Sequence, residues 1–167
     1  MGQLARNAVV EHFDRGGAEH APVTQSAAQL AFEKLGGKKL IGVDVRSEAD
    51  FIEVLERGIP LDALSELTKE NLSAEEVERL IIPRRTLSHR KARNQPLNRA
   101  ESERALRVAS ILSLAEQTFA SKAKAHAWLR RPTSALAGER PLDVLDSEIG
   151  GRWVEQLLYR IAHGIAA

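Results

Sequence analysis

Apolar positions recur at helical spacing along most of the chain, in short segments separated by glycines, prolines and capping residues. Met1 to about Thr24 has no clean period. A short helix is predicted through Gln25 to Leu35, with Thr24 as its cap and Gly36-Gly37 as its stop. Ile41, Val43 and Val45 then alternate with Gly42 and Asp44, which predicts a short half-buried strand, paired with another copy of the chain or simply extended. Ser47 and Asp50 form a capping pair ahead of Phe51, Ile52, Val54 and Leu55, and Gly58 closes that helix. Pro60 opens a helix with Leu61, Leu64 and Leu67 on one face.

Ser73 and Glu76 make a capping box for a helix whose inward face is Val77, Leu80 and Ile81. A second short helix, PRRTLSHRKAR, starts at Pro83. Asn98 and Glu101 mark the start of a long helix to about Phe119, lined by Ala105, Val108, Ala109, Leu112, Ala115 and Phe119 and widened by Ile111 and Leu114. Ser121 begins a helix carrying Trp128 and Leu129 that ends before Pro132. RPTSALAGER reads as a loop and Pro141 opens a helical turn. A final helix carries Ile149, Val154, Leu157, Leu158 and Ile161, with Gly164 as its stop. The elements predict an all-α fold, a helix-turn-helix region followed by a small helical domain, with that one short N-terminal strand.

Composition fits this outline. Aromatics are only 4% of the 167 residues, so Leu, Ile, Val and Ala must fill the core, which favours packed helices over a β-sandwich. The absence of cysteine excludes a disulfide framework, a thiolate zinc site and a cysteine nucleophile. No apolar run is long enough to span a bilayer and the N-terminus has no secretory pattern, so no membrane partner is expected and the expected location is the cytoplasm.

Net charge is only +1, but its distribution is uneven. From Leu61 to Glu78 the charged residues are Asp62, Glu66, Glu70, Glu75, Glu76 and Glu78 against the single Lys69. From Arg79 to Ala100 there is no acidic residue, while Arg79, Arg84, Arg85, Arg90, Lys91, Arg93 and Arg99 are present. That switch concentrates one sign of charge on one short element. Its position matches the second helix of a helix-turn-helix, whose N-terminal residues meet base edges in the major groove. Arg84, Arg85, Thr86 and Ser88 are the expected base and phosphate contacts. His89 joins them, Arg90, Lys91 and Arg93 are placed for phosphates, and Leu87 is the inward anchor. The competing reading is a solubilising basic surface, or a patch for an acidic protein.

Catalytic patterns are missing. His12, His20, His89, His126 and His163 are scattered without metal-ligand spacing, and Gly36-Gly37-Lys38-Lys39 lacks the spacing of a phosphate-binding loop. Neither Ser134 nor Ser147 lies in a nucleophile elbow. No catalytic residue, metal or cofactor is expected.

The C-terminal segment carries an ordered series of features: Trp128-Leu129-Arg130 before a proline loop, Ala135-Leu136, Gly138, Pro141-Leu142-Asp143, Glu148 and Gly150, Val154-Glu155, Leu157-Leu158, Arg160-Ile161 and His163-Gly164. This series resembles the C-terminal toxin-binding domain of the Xre/MbcA/ParS antitoxins. Upstream, Gly58-Ile59-Pro60, the helix-turn-helix and the run from Pro83 to Leu87 are similar to the Xre-like N-terminal part of that family. The likeness covers roughly Ser47 to the C-terminus. One departure is Arg131-Pro132-Thr133-Ser134, where relatives commonly carry an Asn-Pro pair.

The resemblance implies a type II antitoxin that places its C-terminal region over the NAD pocket of a RES-domain toxin, one that degrades NAD or transfers ADP-ribose. It also implies repression of its own operon through operator DNA. The implied organisation is an N-terminal extension over 1–46, partly flexible, a DNA-binding region over 47–100, and a toxin-binding and dimerisation domain over 101–167. A homodimer is expected, because one short recognition helix covers only a half-site. The toxin-binding candidates are Arg130, Arg131, Arg152, Trp153, Glu155, Tyr159, Arg160, His163 and Gly164. From the residues alone, Arg152, Glu155, Arg160 and His163 fit a solvated helix face or the polar part of an interface. Trp153 and Tyr159 fit interface anchors or core packing, and Trp128 fits the core. A plain regulator whose C-terminal domain only dimerises, and an adaptor with an incidental basic helix, are the alternatives.

Overall fold

The computed structural model describes residues 27–70 and 72–165. The expected Thr24 cap, the stretch before it with His12 and His20, and the last two alanines lie outside the described residues. The described residues form nine α-helices and two short 3₁₀ turns, with no strand among them. In order these are α1 (Ala27–Lys34), α2 (Gly37–Ile41), α3 (Glu48–Arg57), α4 (Asp62–Glu70), α5 (Ala74–Leu80), α6 (Arg84–Ala92), α7 (Arg99–Phe119) and α8 (Lys122–Leu129). The turns Ser134–Leu136 and Asp143–Asp146 follow, and then α9 (Glu148–Ala162).

The hub is α7, which touches α1, α3, α5, α8, α9 and the second 3₁₀ turn. Its Ala105, Val108, Ala109, Leu112 and Ala115 are all fully buried. The alanines leave room for neighbouring helices to approach closely, and the longer side chains of those helices fill the space: Phe32 and Leu35 from the N-terminal side, Leu129, Val154 and Leu158 from the C-terminal side. Residues 27–46, part of the expected N-terminal extension, thus contribute directly to the core.

Local hydrogen-bond chemistry sets the helix starts. Complete capping boxes stand at Ser47 with Asp50, Ser73 with Glu76 and Asn98 with Glu101. Each satisfies two backbone N–H groups that would otherwise lack partners at a helix start. Pro83 lies just outside α6 as its N-cap, with φ −57° and ψ 144°, rather than inside its first turn. Its ring still fixes the chain's entry into the helix.

The expected strand at Ile41, Val43 and Val45 is not formed. Ile41 instead ends α2, which is bracketed by left-handed Gly36 (φ 92°) and Gly42 (φ 79°), and the Gly42 N–H donates to the Lys38 carbonyl. Beyond Gly42 the chain is irregular and drops Val45 into the core. The apolar alternation came from a helix end followed by an isolated core anchor. Ile149, carried by the last helix as expected, is 80% exposed. Gly150 and Gly151 face inward there, the first against the Val144 carbonyl and the second against the Arg107 side chain.

Gly58 is the tightest joint before the long helix. It adopts φ 82° and ψ 140°, and an added Cβ would stand 2.1 Å from the Leu97 carbonyl oxygen. The adjoining Ile59 carbonyl accepts from Leu97 N–H at 2.9 Å, and Ile59 N–H donates to the buried Ser102 hydroxyl at 3.0 Å. Gly58→Ala should therefore lower stability by about 2–3 kcal/mol, combining backbone strain with overpacking. Urea unfolding of the two proteins checks this.

A second polar contact ties α1 into the fold. The Lys34 ammonium donates to both carboxylate oxygens of Glu116 on α7 (3.0 and 2.9 Å), and His126 Nε2 on α8 lies 3.8 Å from the same carboxylate. Burial lowers the His126 pKa below its ordinary 6.5. The positive charges of Arg130 and Lys34 add to this, against the opposing pull of Glu116 and Glu76. The unfolded chain consequently binds more protons than the folded one as pH falls below 6.5. His126 thus contributes stability that is fully present above 6.5 and is lost as pH drops towards its folded value. Thermal melts across that range should show a shallower decline with acidification for His126→Gln than for the unaltered protein.

Candidate DNA and protein interfaces

Helices α5 and α6 form the helix-turn-helix. Their connection, Ile81-Ile82-Pro83, is held by apolar burial: both isoleucines have no exposed surface. Arg104 of α7 donates from Nε to the Ile81 carbonyl at 2.8 Å and so covers the C-terminal end of α5. The turn is rigidly seated, although α6 itself has no fully buried residue. Leu87 packs partly against the core, as expected of the inward anchor.

The basic residues of this region separate into two groups. Arg84, Arg85, Ser88, His89, Lys91 and Arg93 are exposed, and Thr86 is half-buried. Arg84, Arg85, Lys91 and Arg93 make no ion pair among the described residues. Arg84, Arg85, Ser88 and Lys91 fall at helical spacing on one outward face, so the patch is cationic and free to meet phosphates.

Arg90 points the other way. Its Nε lies 2.8 Å from Glu101 Oε2, Nη2 donates to Glu101 Oε1 at 3.2 Å, and Nη1 donates to the Pro96 carbonyl at 3.1 Å. Its spacing from Leu87, three residues along the helix, already places it on the inward side of α6.

Two further arginines are used internally. Arg130, a candidate for toxin contact, makes a two-pronged pair with Glu76 of α5, Nε to Oε1 at 2.9 Å and Nη2 to Oε2 at 2.7 Å. Arg79, counted with the basic window, pairs with Asp143, which is also bound by Arg140. These contacts join the helix-turn-helix to the C-terminal segment and turn part of the acidic block towards it. Burial pushes both carboxyls up, but the arginine hydrogen bonds and charges, with the Ser73 N–H for Glu76, outweigh it. Both are held below the ordinary carboxylate range.

Helix α9 presents the other surface. Val154, Leu157 and Leu158 are buried. On its outer side Trp153 is 46% and Tyr159 59% exposed, so neither is a core residue. Arg152, Glu155, Arg160 and His163 are exposed beside them. Arg152 pairs with Glu148 one turn back, and His163 stacks on Tyr159 with ring centroids 4.0 Å apart. Gly164 is left-handed (φ 65°) and lets Ile165 N–H return to the Arg160 carbonyl at 2.9 Å. Exposed Ile149 and Ile165, neither of them among the expected contacts, extend the apolar part of this surface. Arg131 is exposed in the loop after α8. Trp128, by contrast, packs against Phe119 at 5.5 Å between ring centroids.

Among the described residues no cluster of three or more His, Asp or Glu side chains is arranged to hold a metal, and no helix is long and apolar enough to cross a membrane.

A helix-turn-helix with an exposed cationic second helix, joined through one long helix to a unit with an exposed aromatic face, defines a DNA-binding protein with an appended protein-interaction module. Comparison with known proteins specifies the class. Residues 50–110 match the antitoxin Xre-like helix-turn-helix domain, and residues 114–164 match the antitoxin Xre/MbcA/ParS C-terminal toxin-binding domain. Antitoxin Xre of Pseudomonas putida is 31% identical over 149 residues, covering 87% of this chain and 94% of the relative. The Prs ADP-ribosylating antitoxin of Sphingobium sp. is 29% identical over 136 residues, 72% of this chain and 83% of the relative. Antitoxin Xre of Yersinia enterocolitica is 32% identical over 85 residues, 50% of this chain and 57% of the relative. The chain belongs to the Xre family of antitoxins, which are helix-turn-helix proteins of toxin–antitoxin systems and not enzymes. The boundary between the two matched domains falls within α7, so that one helix belongs to both.

Proposed function

We propose that this antitoxin neutralises a RES-domain toxin that consumes NAD or transfers ADP-ribose, by laying the outer face of α9 over the toxin's active site, and that it represses its own operon through α6 as a dimer. The observation that carries the reading is the exposure of Trp153 and Tyr159 beside Arg152, Glu155, Arg160 and His163 on one helix. Exposed aromatics with a charged surround are the usual composition of a high-affinity protein contact. The name of the Sphingobium relative mentions ADP-ribosylation, which fits chemistry that starts from NAD.

The DNA function draws on Arg84, Arg85, Thr86, Ser88, His89 and Lys91 of α6 and on Arg93 at its end. On the toxin side, Arg131, Arg152, Trp153, Glu155, Tyr159, Arg160, His163 and Gly164 supply the contacts, joined by Ile149 and Ile165. Arg130, paired with Glu76 of α5, is left out of the toxin contacts in this reading. Dimerisation supplies the second α6 that a two-half-site operator requires.

The test is to express the protein encoded beside this one, measure its consumption of NAD, and titrate in the antitoxin. Stoichiometric inhibition is expected. A neighbour that does not consume NAD, or one inhibited equally well by an antitoxin with Trp153 and Tyr159 replaced, contradicts the reading.

A further inference from the structure

We infer that Arg90 is a positioning residue that holds the DNA-reading helix at its working angle through Glu101, and that it is not one of the phosphate contacts. This rests on the assignment of α6 as the helix that meets DNA. Because none of the nine residues of α6 is fully buried, packing alone gives it little hold on the core. Apart from the half-buried Leu87, its firmest side-chain attachment is the Arg90 guanidinium.

That group engages two separate pieces of structure. Glu101 on the first turn of α7 is only 4% exposed. It caps α7 by accepting from Asn98 N–H at 2.8 Å, and it also accepts from Arg90. The Pro96 carbonyl, in the loop between α6 and α7, takes the third arm of the fork. Asn94 turns that loop in the left-handed region (φ 50°), and Gln95 N–H returns to the Arg90 carbonyl at 3.0 Å. On its far side the loop rests on the backbone of Gly58 and Ile59. The buried Glu101 carboxylate needs a cation to offset its desolvation, and the planar guanidinium meets the carboxylate and the Pro96 carbonyl at once. An arginine aimed at DNA would have to abandon both and leave Glu101 buried without its counter-charge.

Charge and geometry can be separated by substitution. Lysine keeps the positive charge, and as a point charge it serves a phosphate well, but it cannot reproduce the fork. The experiment measures binding of the full-length protein to duplex DNA from its own promoter region over a series of salt concentrations. The variants are Arg90→Lys, Arg90→Gln, Glu101→Gln and the Arg90→Gln/Glu101→Gln double, each confirmed as folded by circular dichroism.

Arg90→Lys and Glu101→Gln should each weaken binding by about tenfold, the double should lose little more than the worse single, and the slope of log affinity against log salt should be unchanged. Near-normal binding by Arg90→Lys with a neutral or tighter Glu101→Gln overturns the proposal. So does a slope reduced by about 0.9 in Arg90→Gln, the loss of one phosphate contact. Arg84→Gln/Arg85→Gln is run alongside. If it weakens binding while the Arg90 and Glu101 variants do not, only the positioning role falls. If it too binds normally, the assignment of α6 falls with it.

Discussion

Replacing Arg84 and Arg85 together with glutamine should lower affinity for operator DNA by at least about thirtyfold. Both side chains are exposed at the N-terminal end of α6, the part of a recognition helix that enters the major groove, and both lack ion-pair partners among the described residues. A bidentate arginine contact to guanine discriminates by about 1–3 kcal/mol, and two such losses span roughly 2–6 kcal/mol. If either arginine meets a phosphate instead, the salt slope falls by about 0.9 for each one lost. Thermal stability should be nearly untouched, since neither side chain packs against the core. Fluorescence anisotropy titrations over a salt series measure both quantities.

The second large effect is expected on the other surface. Trp153→Ala combined with Tyr159→Ala should weaken the toxin complex by about a thousandfold, since an aromatic hot spot contributes about 2 kcal/mol or more. The loss should appear mainly as faster dissociation. Helix α9 itself should remain folded, because Val154, Leu157 and Leu158 hold its inner face and Ser147 caps its start by accepting from Gly150 N–H. Deleting the whole segment is a poorer test. It would strip Leu136, Leu142, Leu145 and Leu158 from the core and would confuse lost contacts with lost folding. Calorimetry with purified toxin gives the affinity, and surface-immobilised toxin gives the rates.

What was legible in the sequence was local. The boxes at Ser47, Ser73 and Asn98 are built from residues three apart, and such hydrogen bonds form whenever the neighbouring chain is helical. The start of α7 and the stop at Gly58 were readable for the same reason. The alternation at Ile41, Val43 and Val45 misled because one apolar residue at a helix end and another plugging the core imitate a strand over so short a span. The facing of Ile149 was not legible, because apolar content alone cannot show that two glycines, rather than an isoleucine, are needed where a backbone carbonyl and an arginine stem press against the helix.

The candidate sites divided along the same line. The outward run of α6 was visible as charge segregation. Arg90 and Arg130 belonged to equally plausible charged patterns, yet their partners, Glu101 and Glu76, stand 11 and 54 residues away in the chain. No local pattern reveals which cation a distant buried carboxylate will claim. The same ion pairs explain why the charge switch between α5 and α6 is so abrupt. Part of the acidic block docks onto the C-terminal unit, while the basic block, apart from Arg79 and Arg90, is left facing solvent.

The central claim is that one chain carries two separable surfaces, α6 for DNA and α9 for toxin. It is tested most directly by titrating each of the two double variants against both operator DNA and toxin. The account predicts a crossed result: Arg84→Gln/Arg85→Gln loses DNA and keeps toxin, while Trp153→Ala/Tyr159→Ala loses toxin and keeps DNA. Toxin bound at full affinity by the α9 variant, or DNA bound at full affinity by the α6 variant, would contradict it.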